Sequence, residues 1–99
     1  MADLSNDIRL AVDSGKAEFG INRSSEAILS NRAKMVIVTS KNSGDRLNDI
    51  LHIAKISEVK VQVFEGTPVE LGVVCGKPFS VSVLSIIDAG NSKILNENY

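Results

Sequence analysis

The chain has 99 residues, of which 43% are hydrophobic and 23% charged, which suits one globular domain over residues 1–99 and excludes a disordered chain. Its formal net charge of −1 argues against a protein that binds nucleic acid nonspecifically by bulk electrostatic attraction. Cys75 is the single cysteine, which excludes an intrachain disulfide framework. The N-terminus lacks the features of a signal peptide and no apolar run could cross a membrane, so we expect an intracellular protein.

The first thirty residues predict a helix, a short strand and a second helix. Asp3 can cap the first helix and Gly15 can end it. A strand is predicted over residues 16–19, and a second helix from about Asn22, which can cap it, to Ser30. The buried face of the first helix is predicted from apolar residues at helical spacing: Leu4, Ile8, Ala11 and Val12.

The centre of the chain predicts a βαβ unit. Residues 35–38 form a β-branched run that is typical of a strand covered on both faces. A helix is predicted from Asp45, followed by a strand over residues 61–64, so the two strands are expected to be parallel neighbours. The face of this helix that meets the sheet is predicted to carry Leu47, Ile50, Leu51 and Ala54.

The last part of the chain predicts a fourth helix and a fourth strand. Thr67, Pro68 and Glu70 have the spacing of a capping box with proline at the first helical position. This helix is expected to run to about Cys75, and a strand is expected over residues 79–87. The alternation of four helices with four strands predicts a three-layer α/β/α sandwich with a central mixed sheet of about four strands.

No catalytic, cofactor or metal site stands out. The glycines lack the spacing of a phosphate-binding loop. His52 is either a general base or a partly exposed helical residue, and Cys75 is either a reactive thiol or a small buried hydrophobe. One histidine and one cysteine do not make a tetrahedral metal set, although carboxylates could complete one. We therefore expect neither an enzyme nor a bound cofactor.

The loop after the first strand carries groups that suit RNA. Gly20 permits close backbone approach next to a helix N-terminus, where free N–H groups can meet phosphate oxygens. Asn22 can read a base edge and Arg23 can bind a phosphate. The alternative is that Asn22 only caps the helix and Arg23 is solvated.

Two further loops share this polar character. Residues 39–46 follow a central parallel strand, where ligands often bind, and include the cations Lys41 and Arg46. In the loop 76–81, Phe79 and Val81 are predicted to share one side of a starting strand and meet an unstacked base. The alternative is that both side chains join the core.

In this order and spacing, the chain resembles the thirtieth large-subunit ribosomal protein of archaea and eukaryotes (the L-thirty-e family), with the archaeal form most similar. The resemblance is carried by the following segments: Ser14-Gly15-Lys16, Gly20 with Arg23-Ser24, Ala33-Lys34, Phe64-Glu65-Gly66-Thr67, Val69-Glu70-Leu71-Gly72, Gly76-Lys77-Pro78 and 88–95. It implies an α/β/α sandwich that belongs to the wider group of kink-turn RNA binders. The implied function is that of a structural constituent of the large ribosomal subunit that binds a kink-turn-like bent rRNA element.

The resemblance also implies the site and the partners. Its RNA-binding residues correspond to Phe19, Gly20, Asn22, Arg23, Lys41, Asn42, Arg46, Phe79 and Val81. The expected partners are ribosomal RNA and neighbouring ribosomal proteins in the cytoplasm, with no membrane, and the free protein is expected to be a monomer. The alternatives are a kink-turn-binding paralogue in a small noncoding RNA–protein particle, or a small metabolite-binding domain or enzyme using the crevice near Lys41 and residues 65–67.

Overall fold

The computed structural model describes residues 3–41 and 46–96, without the side chains of Arg46 and Leu47. Helices and strands alternate along these residues in the predicted order. The predicted start of the third helix at Asp45 lies outside the described residues. The elements are α1 (Leu4–Ser14), β1 (Lys16–Phe19), α2 (Ile21–Leu29), β2 (Met35–Thr39), α3 (Arg46–Ile56), β3 (Lys60–Phe64), α4 (Pro68–Val74) and β4 (Val83–Asp88).

The strands form one mixed sheet in the order β1-β4-β2-β3. β2 and β3 are parallel neighbours, as the βαβ pattern predicts, and Val36 pairs with Val61. β4 lies between β1 and β2 and is antiparallel to both. The prediction of a four-stranded mixed sheet is therefore confirmed.

Strand β2 shows why the fold has three layers. Its five residues are all buried, because alternate side chains enter different cores. Met35 and Ile37 join a core with α1 and the α4 region, whereas Val36 and Val38 join a second core with α2 and α3. The sheet is covered by two helices on each face, which confirms the predicted α/β/α sandwich.

Two helix caps that the sequence predicts are present. The Asp3 carboxylate accepts a hydrogen bond from the Asn6 amide at 3.3 Å at the start of α1. At the start of α4, the Thr67 hydroxyl accepts from the Glu70 amide at 3.2 Å, and the Glu70 carboxylate accepts from the Thr67 amide at 3.3 Å. Side chains thus satisfy backbone groups that have no helical partner.

Two predicted boundaries are wrong. Helix α2 starts at Ile21 with Gly20 at its N-cap, so Asn22 lies in the first turn and does not cap the helix. Strand β4 starts at Val83 and not at Phe79. The Val81 amide donates to the Pro68 carbonyl at 2.9 Å, so this segment is bonded to the start of α4 before it can join the sheet.

Candidate nucleic-acid interface

Three strands end and one begins at the same end of the sheet. Phe19 at the end of β1 pairs with Leu84 of β4, and Thr39 at the end of β2 pairs with Phe64 at the end of β3. Val83, the first residue of β4, pairs with Val38 near the end of β2. The segments that follow β1, β2 and β3 therefore lie beside the loop that enters β4. We call this region the loop end; it comprises residues 19–23, 40–41, 65–67 and 76–82.

Backbone hydrogen bonds hold these segments together. The Gly20 amide donates to the Val83 carbonyl at 2.9 Å, and the Lys41 amide donates to the Gly66 carbonyl at 3.1 Å. The Gly66 amide in turn donates to the Ser40 hydroxyl at 3.0 Å. Lys41 is exposed. Its backbone is held to the segment after β3, so the exposed side chain starts from a fixed point at the loop end.

Gly20 makes the turn from β1 into α2. Its φ of 93° and ψ of 163° lie in a region that is essentially restricted to glycine. An added Cβ would meet nothing within 4 Å, so the requirement for glycine is one of backbone conformation and not of space. The turn exposes Asn22 and Arg23 at the helix N-terminus, where amide groups without helical acceptors favour anions.

Arg23 forms part of a charged groove beside α2. Its Nη1 lies 3.5 Å from Oε2 of Glu18, and Nη1 of Arg32 lies 3.9 Å from the other oxygen of the same carboxylate. Glu26 completes the lining of this groove of about 230 Å³. The Arg23 side chain is 74% exposed and that of Glu18 only 20%, so the arginine remains open to a phosphate while the carboxylate is confined.

The other face of β1 carries an aromatic contact. The rings of Phe19 and Phe79 meet edge to face with centroids 6.2 Å apart. Nζ of Lys77 lies 5.2 Å from the centre of the Phe19 ring, within the range of a cation–π contact. Phe19 is partly buried, whereas Phe79 is 52% exposed. Phe19 thus packs against Phe79 and leaves about half of that residue exposed to solvent.

An apolar groove adjoins Phe79. Val69 and Val73, one turn apart on α4, are both exposed although they are hydrophobic. The groove has a volume of about 500 Å³ and is lined by Val69, Val73, Lys77, Pro78, Phe79 and Ser80. An open apolar groove with one cation on its border has the chemistry to receive a nucleobase and a neighbouring phosphate.

Val81 does not belong to the exposed surface. It is 2% exposed and lies in the same core as Leu71 and Leu84. The expectation that Phe79 and Val81 share one side of a strand is therefore wrong. The cause is the hydrogen bond from the Val81 amide to α4, which turns this segment so that one side chain points inward and the other outward.

Gly72 is a positioning residue that the sequence reasoning did not single out. A Cβ at this position would overlap the carbonyl oxygen of Phe79, so glycine allows the loop to lie directly on α4. The Lys77 amide also donates to the Gly72 carbonyl at 3.0 Å. The available signal was a glycine inside a helix, which costs about 1 kcal/mol relative to alanine and implies a local reason.

Cys75 and His52 occupy different environments. Cys75 is buried, and burial raises the pKa of its thiol to about 11, against the opposing effect of Lys77 and Arg9. The prediction of a small buried hydrophobe is confirmed for this residue. His52 is an exposed residue of α3. Within residues 3–41 and 46–96, no three histidine, cysteine or carboxylate side chains are grouped to hold a metal ion.

The structure brings together most of the predicted site. Asn42 lies outside the described residues, as does the side chain of Arg46. Val81 is close in sequence but buried. The predicted residues that do meet at the loop end are Phe19, Gly20, Asn22, Arg23, Lys41 and Phe79.

None of the described helices is long and apolar enough to cross a membrane.

Comparison with known proteins shows the family. Residues 2–96 match the "Ribosomal protein L7Ae/L30e/S12e/Gadd45 family", and the chain belongs to this family. It is 43% identical over 90 residues to the large ribosomal subunit protein eL30 of Saccharolobus solfataricus, a match that covers 91% of this chain and 83% of that protein. It is 44% identical over 93 residues to the eL30 of Methanothermobacter thermautotrophicus, covering 94% and 95% of the two chains.

A solved structure shows the same fold at lower identity. A Bacillus halodurans C protein, described as having unknown function, superposes with a TM-score of 0.81 at 22% identity. The match covers 96% of this chain and 94% of that one.

Proposed function

We propose that this protein is a structural constituent of the large ribosomal subunit that binds a kink-turn-like bent element of rRNA through its loop end. The observation that carries the proposal is the meeting, at one end of the sheet, of a helix N-terminus, exposed cations and an aromatic groove. The names of the eL30 relatives support the assignment to the large subunit.

The proposed contacts divide among the segments of the loop end. Gly20 and Asn22 present an amide N–H and a side-chain amide to base edges beside noncanonical pairs. Arg23 and Lys41 bind phosphates and set the register, with Asn42 and Arg46 assigned to the same second loop. Phe79 covers an extruded base from the side of the apolar groove, and the buried Val81 supports the loop from below.

The charge of the protein supports recognition of shape over bulk attraction. With a net charge of −1, long-range attraction to RNA is weak, so affinity depends on a few placed contacts. A bent element that extrudes a base offers more such contacts than a continuous helix, whose bases are stacked and whose major groove is too narrow to read. The preference for kinked over straight RNA follows from this geometry.

The remaining parts of the proposal concern partners and chemistry. The protein acts without catalysis or cofactor, as a monomer that joins rRNA and neighbouring ribosomal proteins in the cytoplasmic ribosome. The exposed position of His52 and the raised pKa of Cys75 support a non-catalytic role, because neither is placed as a base or an activated nucleophile at the loop end.

Two measurements test this function. The first is titration of the protein with a kink-turn RNA and with a straight duplex of equal length and composition, at several salt concentrations. We expect clearly tighter binding of the kinked RNA, and equal affinities would contradict the proposal. The second is sedimentation of tagged protein from its own cell lysate through a sucrose gradient. Migration with the large subunit is expected, whereas migration only with a smaller RNA–protein particle would favour a paralogue serving another RNA.

A further inference from the structure

An acidic residue, Glu18, borders the loop end, where an RNA-binding surface would be expected to avoid one. The Glu18 carboxylate contacts Arg23 through one oxygen, at 3.5 Å, and Arg32 through the other, at 3.9 Å. Glu18 lies in the middle of β1, and its side chain is only 20% exposed. The positive charge of Arg23, at the N-terminus of α2, and of Arg32, which follows the end of α2, is therefore partly neutralised in the free protein.

We infer that Glu18 is a positioning and specificity-determining residue, which restricts Arg23 to phosphates presented in one place; this rests on the RNA-binding function proposed above. A guanidinium has five N–H donors, and Glu18 is within hydrogen-bonding distance of one of its nitrogens. A phosphate that lies correctly can thus be bound while the ion pair persists. A phosphate elsewhere requires Arg23 to leave Glu18.

This arrangement penalises straight RNA more than kinked RNA. On a regular duplex, phosphates follow the helix, and an exposed arginine gains affinity by reorienting toward whichever phosphate is nearest. Glu18 opposes that movement. Because an exposed ion pair of this kind changes an equilibrium constant by roughly two- to fivefold, we expect it to weaken duplex binding by about that factor. In the kinked complex, the paired position of Arg23 is the bound position, so the ion pair remains.

Glu26 provides a matched control. It lines the same groove, and no described arginine or lysine lies within 4.0 Å of its carboxylate. Glu18→Gln and Glu26→Gln each raise the net charge by one at nearly the same place, and only the first removes an ion pair between described residues. A difference between the two variants therefore reports the contact of Glu18 with the arginines and not the change in overall charge.

The experiment titrates the wild type, Glu18→Gln and Glu26→Gln with a kink-turn RNA and a straight duplex at several salt concentrations. Glu18→Gln is expected to strengthen duplex binding about two- to fivefold beyond Glu26→Gln, and to steepen the dependence of log K on log salt by up to about one unit. Its affinity for the kinked RNA is expected to stay within about twofold of the wild type or to fall. The ratio of the two affinities, and hence specificity, decreases.

Adding Arg23→Ala tests whether Glu18 acts through that arginine. When Arg23 is already alanine, the increase in duplex affinity caused by Glu18→Gln is expected to fall to half or less of its value in the wild-type background. The part of the increase that remains is expected to come from Arg32. A loss of fold would not produce this pattern, and circular dichroism checks it separately. Equal effects of Glu18→Gln and Glu26→Gln, or an undiminished effect without Arg23, would overturn the inference. Failure of the wild type to prefer kinked RNA would instead contradict the proposed function.

Discussion

The ring of Phe79 meets the ring of Phe19 edge to face, with an interplanar angle of 84°. Phe19 ends a strand of the sheet and Phe79 lies in the loop after α4, sixty positions later in the chain. The contact covers part of Phe79 and leaves the residue 52% exposed beside the apolar groove. An aromatic side chain held in this way is already ordered, so less entropy is lost when a base stacks on it.

Replacing this ring should weaken the binding of kinked RNA selectively. For Phe79→Ala we expect a loss of about 1–3 kcal/mol with the kink-turn RNA, because a stacked base loses its platform. Binding to a straight duplex should hardly change, since no base is extruded there. Ile56→Ala, which removes an exposed apolar side chain from the C-terminal end of α3, is the control. Equal weakening by the two variants would show that Phe79 has no special role.

Removing Arg23 should reveal a phosphate contact through its salt dependence. Arg23→Ala is expected to weaken binding to the kinked RNA more than binding to the straight duplex. It is also expected to reduce the magnitude of the slope of log K against log salt by about 0.7–0.9. Lys34→Ala removes the same charge just before β2, at the opposite end of the sheet from the loop end. The control should change the slope less. An unchanged slope for Arg23→Ala would exclude the phosphate contact.

Gly72→Ala should reverse the usual effect of alanine in a helix. Alanine normally stabilises a helix interior by about 1 kcal/mol relative to glycine. Here its Cβ would overlap the Phe79 carbonyl, so we expect a loss of about 1–3 kcal/mol in the free energy of unfolding in urea. Gly72→Ala should also bind the kinked RNA more weakly than the wild type, because the loop that carries Phe79 must shift. A variant more stable than the wild type would show that the loop moves without cost.

Thr67→Ala should remove the capping box of α4. The Thr67 hydroxyl accepts from the Glu70 amide, and its loss is expected to lower the free energy of unfolding by about 1 kcal/mol. Thr67→Ser keeps the hydroxyl and should stay close to the wild type. Urea denaturation of the three proteins measures the difference. A serine variant as unstable as the alanine variant would point to the lost methyl group and not to the cap.

Cys75 should make the protein less stable at alkaline pH. Burial raises the pKa of its thiol from 9.0 to about 11, so the native state keeps a proton that the unfolded chain releases. The raised pKa contributes roughly 2–3 kcal/mol to the free energy of unfolding. This stabilisation is fully present below pH 9 and is lost as the pH rises through 11. Cys75→Ala, less stable at neutral pH because of its cavity, should lose less stability over this range. The free energy of unfolding in urea is measured against pH for the wild type and Cys75→Ala. If it fell equally in both proteins, the loss would not come from Cys75.

Most elements of the fold could be predicted because their signals are local. The β-branched run of β2 and the capping box from Thr67 to Glu70 depend on residues a few positions apart, and both were predicted. The start of β4 was not, because Val81 and Phe79 follow an alternating pattern that also suits a strand. A hydrogen bond from Val81 to Pro68 decides otherwise, and nothing in the local pattern reports it.

The α/β/α architecture, and the segments that carry groups suited to RNA, could be predicted from the amino-acid sequence alone. Glycine at position 20, asparagine at 22 and arginine at 23 suit that role wherever the loop lies. The ion pair of Glu18 with Arg23, the contact of Phe19 with Phe79 and the burial of Val81 could be seen only in the three-dimensional structure. Periodicity reports which side of its own element a residue occupies, whereas these contacts depend on which elements the sheet order and the packing of the layers bring together.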